Sequence, residues 1–318
     1  MRRPTLIATP AILVFGLSAC GGASSDTAQS SAAPTPASSA ASSVTSSAAP
    51  TQVEESSATA SAPASAAFVD VVDDALAAYS ALIGSPASTA DLAGALPLFD
   101  SDAPLPDGNV VGAGRVVEEW GDTLESIQMI GVDIAPSKDA LEAYGAAAPQ
   151  GWAYNSISTT DSSSTLVMTR ESDGLRVVLM SSKDPGPGSP AAEFWLEADA
   201  SEIPQPAWLA SLPVPDGGEL IAVGEGIGEV EVDYFPAVGG LVSATWRFPA
   251  DQLTPLQEFY ASGALEAAGF TLVDPDAITV GASYFDVQAE DWTGQVIVGE
   301  LMEDDDSFAT VQWFLTRP

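Results

Sequence analysis

The chain contains no histidine and a single cysteine, Cys20. Imidazole-based triads, Cys–His pairs and His-ligated zinc are therefore excluded. No Gly-x-Ser-x-Gly elbow, Ser-x-x-Lys pair or Walker A loop is present. Reactive chemistry is left to the 44 aspartates and glutamates. In the run Glu303-Asp304-Asp305-Asp306, the side chains of Asp304, Asp305 and Asp306 offer hard oxygen ligands for calcium. Their spacing matches neither an EF-hand nor an RTX repeat, so a solvated acidic turn is the expectation. Glu171 with Asp173, and Glu290 with Asp291, could pair as glycosidase acids. Both pairs sit where hairpin tips are expected, and turn chemistry accounts for them better. The aromatics Trp152, Trp195, Trp208, Trp246 and Trp313 read as core residues. Trp292 lies at a hairpin tip beside Glu290 and Asp291, and is the candidate ligand-binding residue. The run Gly224-Glu225-Gly226-Ile227-Gly228 lacks the last glycine of a dinucleotide fingerprint and reads as a bulge or turn within a hairpin.

The cysteine has its own context. Met1-Arg2-Arg3 is basic, and residues 6–16 are mostly apolar and uncharged. That is the length of a signal-peptide core and too short for a membrane-spanning helix. Leu17-Ser18-Ala19-Cys20, followed by Gly21, resembles the lipobox of bacterial lipoproteins. The resemblance implies that residues 1–19 are a removed signal peptide. It also implies that Cys20 is acylated and becomes the N-terminus, holding the protein to the extracytoplasmic side of the cell membrane. A plain secretory signal is the alternative. No intrachain disulfide can form with one cysteine.

Residues 20–67 are almost entirely Ala, Ser, Thr, Pro and Gly. Such a segment cannot bury enough apolar surface to offset its conformational entropy, and is expected to be a disordered stalk. Its reach is on the order of 40 Å by square-root scaling. Ser/Thr/Pro-rich stalks are also frequent sites of O-glycosylation. Removing Arg2 and Arg3 leaves 9 − 2 = 7 basic residues against 44 acidic ones, a net charge of 7 − 44 = −37. A chain of that charge repels nucleic acid and anionic lipid, so acyl chains and not a basic patch must provide the membrane attachment.

The elements that would carry any site lie beyond the stalk. Residues 68, 72, 75, 76, 79, 82 and 83 are apolar at helical spacing, and Gly84 and Pro86 end the run. Residues 68–96 thus form a helical lead-in. From there, five short matches recur in order at offsets of 109 to 120 residues. They run from Leu105-Pro106-Asp107-Gly108 against Val214-Pro215-Asp216-Gly217 to Glu193-Phe194-Trp195-Leu196 against Gln312-Trp313-Phe314-Leu315. This order argues for a duplicated unit, residues 97–205 and 206–318. Each unit reads strand-strand-helix-strand-strand-strand, with the helix capped by Ser137 in the first and by Asp251 or Thr254 in the second. The expected fold class is α+β: two tandem modules, each an antiparallel sheet with one helix across a face. The order resembles helix-grip folds and small modules of uncharacterised bacterial lipoproteins. That resemblance is structural and implies no activity.

The expectation is a non-enzymatic, membrane-anchored binding or scaffold protein without a cofactor. Its partners would be the membrane through Cys20 and an envelope protein or glycan, with no nucleic acid. Two alternatives are a carboxylate-dependent enzyme on cell-wall glycans and a transporter-associated ligand-binding lipoprotein. The acidic surface could also attract a cationic peptide or a divalent ion.

Overall fold

The computed structural model describes residues 64–318 except 183–188, 275–277, 280–281 and 304–305. Cys20, most of the stalk, Asp304 and Asp305 lie outside the described residues. The head starts with α1 (Ala64–Ser80) and α2 (Thr89–Ala95). Next come β1 (Val110–Trp120), β2 (Thr123–Val132), α3 (Lys138–Ala146), β3 (Trp152–Thr159), β4 (Ser163–Arg170), β5 (Arg176–Ser182) and β6 (Ala192–Asp199). A short 3-10 turn, Ala207–Ser211, leads to β7 (Glu219–Gly228), the small pair β8 (Glu231–Val232) and β9 (Phe235–Pro236), and β10 (Gly240–Pro249). The chain then forms α4 (Leu253–Phe259) and α5 (Leu265–Ala267), joined by a wide turn. It finishes with β11 (Thr271–Asp274), β12 (Ile278–Thr279), β13 (Ala282–Ala289), β14 (Trp292–Glu303) and β15 (Asp306–Arg317).

These strands overturn the expected pair of α+β modules. All but β8 and β9 belong to one antiparallel sheet of 13 strands, ordered β11-β13-β14-β15-β10-β7-β1-β2-β6-β5-β4-β3, with β12 on β13. The joint lies between β1 and β7, where Arg115 stands opposite Glu225. Read outward from this joint, both arms follow the same order of first, second, last and then descending strands. Among the described residues the helices are few and, apart from the 17-residue α1, short, and each half has more strands than expected. One extra strand, β3, reads Trp-Ala-Tyr-Asn-Ser-Ile-Ser-Thr. At the sheet edge, with most positions exposed, it needs no apolar alternation and so gave no strand signal. The β1–β7 pairing joins residues over a hundred apart, and no local pattern encodes it. Gly224 to Gly228 is not a turn but the second half of the central strand β7. Ser137 does cap α3, accepting from the Ala140 N–H, whereas α4 has no side-chain cap.

Side chains alternate between faces along each strand. In β6, Ala192, Phe194 and Leu196 are buried while their neighbours are half-exposed. The buried face packs with Phe68, Val72, Leu76 and Tyr79 of α1, Leu92 of α2, Leu141 of α3 and Leu256 of α4 in one continuous core. Since buried helical residues all fall in this core, the helices cover one face only. A buried polar cluster pins α1 to the joint. Glu225, 3% exposed, accepts from Tyr79 Oη at 3.0 Å and Trp208 Nε1 at 3.4 Å. It also pairs with Arg115 Nη2 at 2.9 Å.

Candidate functional site

On the other face, a small separate apolar cluster is buried: Val116, Met129, Val230, Val232, Ala237 and Leu241. It forms because residues 229–239, between β7 and β10, leave the sheet and fold back over it as a flap. Asp233 and Tyr234 form the flap's tight turn with φ of 52° and 64°, the left-handed pair that suits a two-residue hairpin. Glycines let the flap lie flat. A Cβ on Gly131 would sit 2.1 Å from Glu229 O, and one on Gly226 would sit 2.6 Å from Val232 Cγ2. Phe235 stacks on Phe314 with ring centroids 4.0 Å apart and holds the flap's far side.

A groove of about 60 Å³ runs between the flap turn and the sheet. Its floor is Val116, Ile127 and Met129, and its walls carry the rings of Trp195 and Tyr234. Glu118, Glu231 and Asp233 supply the charge. Strand register explains the assembly. Val116 faces Ile127, Glu118 faces Glu125, and Met129 faces Trp195 across neighbouring strands. Tyr234 is 74% exposed, so its ring is open to a ligand. Among the described residues, no lysine or arginine lines the groove.

The carboxylates here are held against their preferred ionised state. Burial raises Glu118 to about 7, with Asp233 and Glu125 adding repulsion. Burial likewise raises Asp233 to about 6, and the Ser243 hydroxyl offsets only part of this. Glu193, also on this face, is raised by burial to about 7, although it accepts the Glu231 N–H at 3.1 Å. Glu197 is raised by burial too, with Arg176 at 2.5 Å opposing the shift. Among the described residues, no three acidic side chains converge as metal ligands would.

A larger hollow of about 370 Å³ lies between the end of α1 and α2. It is lined mostly by small side chains, and two of its polar groups are already engaged. Ser88 caps α2 and donates to Asp91 at 2.5 Å.

The residues singled out from sequence are not brought together. Trp292 is fully buried, with Phe68 edge-on at 6.4 Å and the Arg317 guanidinium 5.0 Å from its ring centre. Arg317 also pairs with Asp73 of α1 and lies 3.9 Å from Asp291. Asp173 is bound by Arg170 at 2.7 Å, which lowers it to about 2, the wrong direction for a general acid. These two acid pairs sit on the turns of different hairpins, β4–β5 and β13–β14, and form no common cleft. Asp306 begins β15, opposite Glu303. Trp152, Trp208, Trp246 and Trp313 are core, as expected, whereas Trp195 is only partly buried and faces the groove. Sequence reading missed Glu118, Glu231, Asp233 and Tyr234. Their one visible sign was an acidic residue at every second position, as at Glu229, Glu231 and Asp233.

Compared with known proteins, the chain matches no family model, no curated protein and no solved structure.

Proposed function

We propose that the protein is a lipid-anchored, non-enzymatic binding lipoprotein of the cell envelope. Cys20 carries the acyl anchor, the Ala/Ser/Thr/Pro stalk spaces the head from the membrane, and the helix-free face of the sheet recognises a protein partner. The anchor rests on the lipobox-like Leu17-Ser18-Ala19-Cys20. The binding role rests on one observation: the helix-free face holds a groove whose carboxylates have, among the described residues, no basic side chain beside them. A folded protein gains nothing from crowding partly buried acids, since burying charge without a counter-charge costs stability. A partner that supplies the counter-charge gives the arrangement a use. The groove offers no nucleophile–base pair, so binding and not turnover is the reading it supports.

Photo-cross-linking on intact cells tests this. A photoreactive residue replacing exposed Tyr234 should trap one discrete partner, whereas one replacing Glu142, exposed on α3, should not. Cys20→Ser should release the protein from the membrane fraction. Equal cross-linking from both positions, or none from 234, contradicts the binding role; retention of Cys20→Ser in the membrane contradicts the anchor.

A further inference from the structure

Resting on that reading, we infer that the groove between the 229–239 flap and the sheet takes a lysine or arginine side chain of the protein partner. Its size selects a side chain over a free ligand. About 60 Å³ is far below the roughly 300–1,000 Å³ of small-molecule pockets, and it is open at the flap turn where Tyr234 stands exposed.

The lining matches the two parts of such a side chain. Val116, Ile127 and Met129 give an apolar bed for methylenes, which long basic side chains readily bury while their heads stay polar. Glu118, Glu231 and Asp233 surround the place where the head would lie. Trp195 and Tyr234 present ring surfaces beside it, and aromatic faces attract cations. A bare divalent ion fits less well. It needs several oxygens converging at about 2–2.6 Å, which these carboxylates do not provide, and it has no use for an apolar floor.

Charge points the same way. The chain carries a formal charge of −35, which steers basic partners inward before contact. Glu118 has no ion-pair partner among the described residues, and its nearest charged influences are Asp233 and Glu125. A cation inserted there relieves that repulsion, while an acidic or neutral side chain does not.

The test is an NMR titration of the Cys20→Ser protein, reading the Trp195 indole N–H, assigned with Trp195→Phe. The probes are acetyl-Leu-Lys-Leu-amide and the same peptide with norleucine replacing lysine, which keeps the stem and removes the charge. The lysine peptide should shift the signal saturably and bind at least tenfold tighter than the norleucine peptide. Glu118→Gln with Asp233→Asn should abolish the shift. The pair Asp216→Asn with Glu258→Gln removes the same charge from exposed positions elsewhere and should leave it intact. Three results would overturn the inference: equal binding of the two peptides, an equal loss in the control pair, or no shift with millimolar lysine peptide. In each case a discrete cross-link from position 234 would still uphold the binding role, so the two claims fail separately.

Discussion

Replacing Arg115 with leucine should strand the Glu225 carboxylate beneath α1. Glu225 is 3% exposed, and among the described residues its charge is matched by Arg115 alone, Tyr79 and Trp208 being neutral donors. Breaking a buried pair from one side costs about 3–5 kcal/mol. For a head of this size each kcal/mol lowers Tm by roughly 2 °C, so the variant should melt roughly 6–10 °C lower. Removing the charge as well, in Arg115→Leu with Glu225→Gln, should recover most of the loss, because a glutamine oxygen still accepts from Tyr79 and Trp208. Denaturant unfolding at pH 7 with both variants gives the two free energies directly. If the single variant loses under 1 kcal/mol, or the double variant is no better, then the pair does not hold the joint as argued.

Three further outcomes follow from the helix-free face. Glu118, Asp233 and Glu193 all titrate above their ordinary values in the folded head, so the folded state keeps protons that the unfolded chain releases. Their contribution is fully present below the ordinary carboxylate range and is lost as pH rises through about 6 to 7. Each is worth at most roughly 3 kcal/mol, and solvent screening at partly exposed groups reduces this to about 1 kcal/mol. Melting should therefore be higher at pH 5 than at pH 8, with a shallower slope in Glu118→Gln; a flat profile would contradict the crowding. The same titrations make lysine-peptide binding strengthen from pH 5 to pH 8, with Glu125, Glu193, Glu197, Glu231 and Arg176 among the other charged groups on this face. Gly131→Ala places a methyl group against Glu229 O and should lift the flap at a cost of about 1–3 kcal/mol. Amide exchange should then speed up in residues 229–239 and not in α1; unchanged exchange would mean that the flap does not depend on the glycine bed.

The local parts of the fold were legible and the long-range parts were not. Apolar spacing from Phe68 to Ile83 announced α1 because one stripe of it meets the core. The β4–β5 hairpin showed through alternation and an acidic glycine turn, with Gly174 at φ 81°. By contrast, the β1–β7 joint depends on pairing distant strands, and it turned two expected modules into one sheet. The flap turn is built from Asp233 and Tyr234, with no glycine at the positive-φ positions, so it gave no turn signal. The groove draws on β1, β2, β6 and the flap, and Glu118 and Asp233 are neighbours only once the sheet exists. Trp292 misled because a tryptophan beside two acids at a hairpin looks exposed. The α1 helix covers it and Arg317 lies over its ring.

The most direct measurement is the intact-cell cross-link from position 234, repeated in the Glu118→Gln, Asp233→Asn background. If the acidic groove is the recognition surface, the discrete partner disappears while protein level, anchoring and melting at pH 5 stay close to those of the parent. A partner still trapped at full yield would show that recognition lies elsewhere on the head.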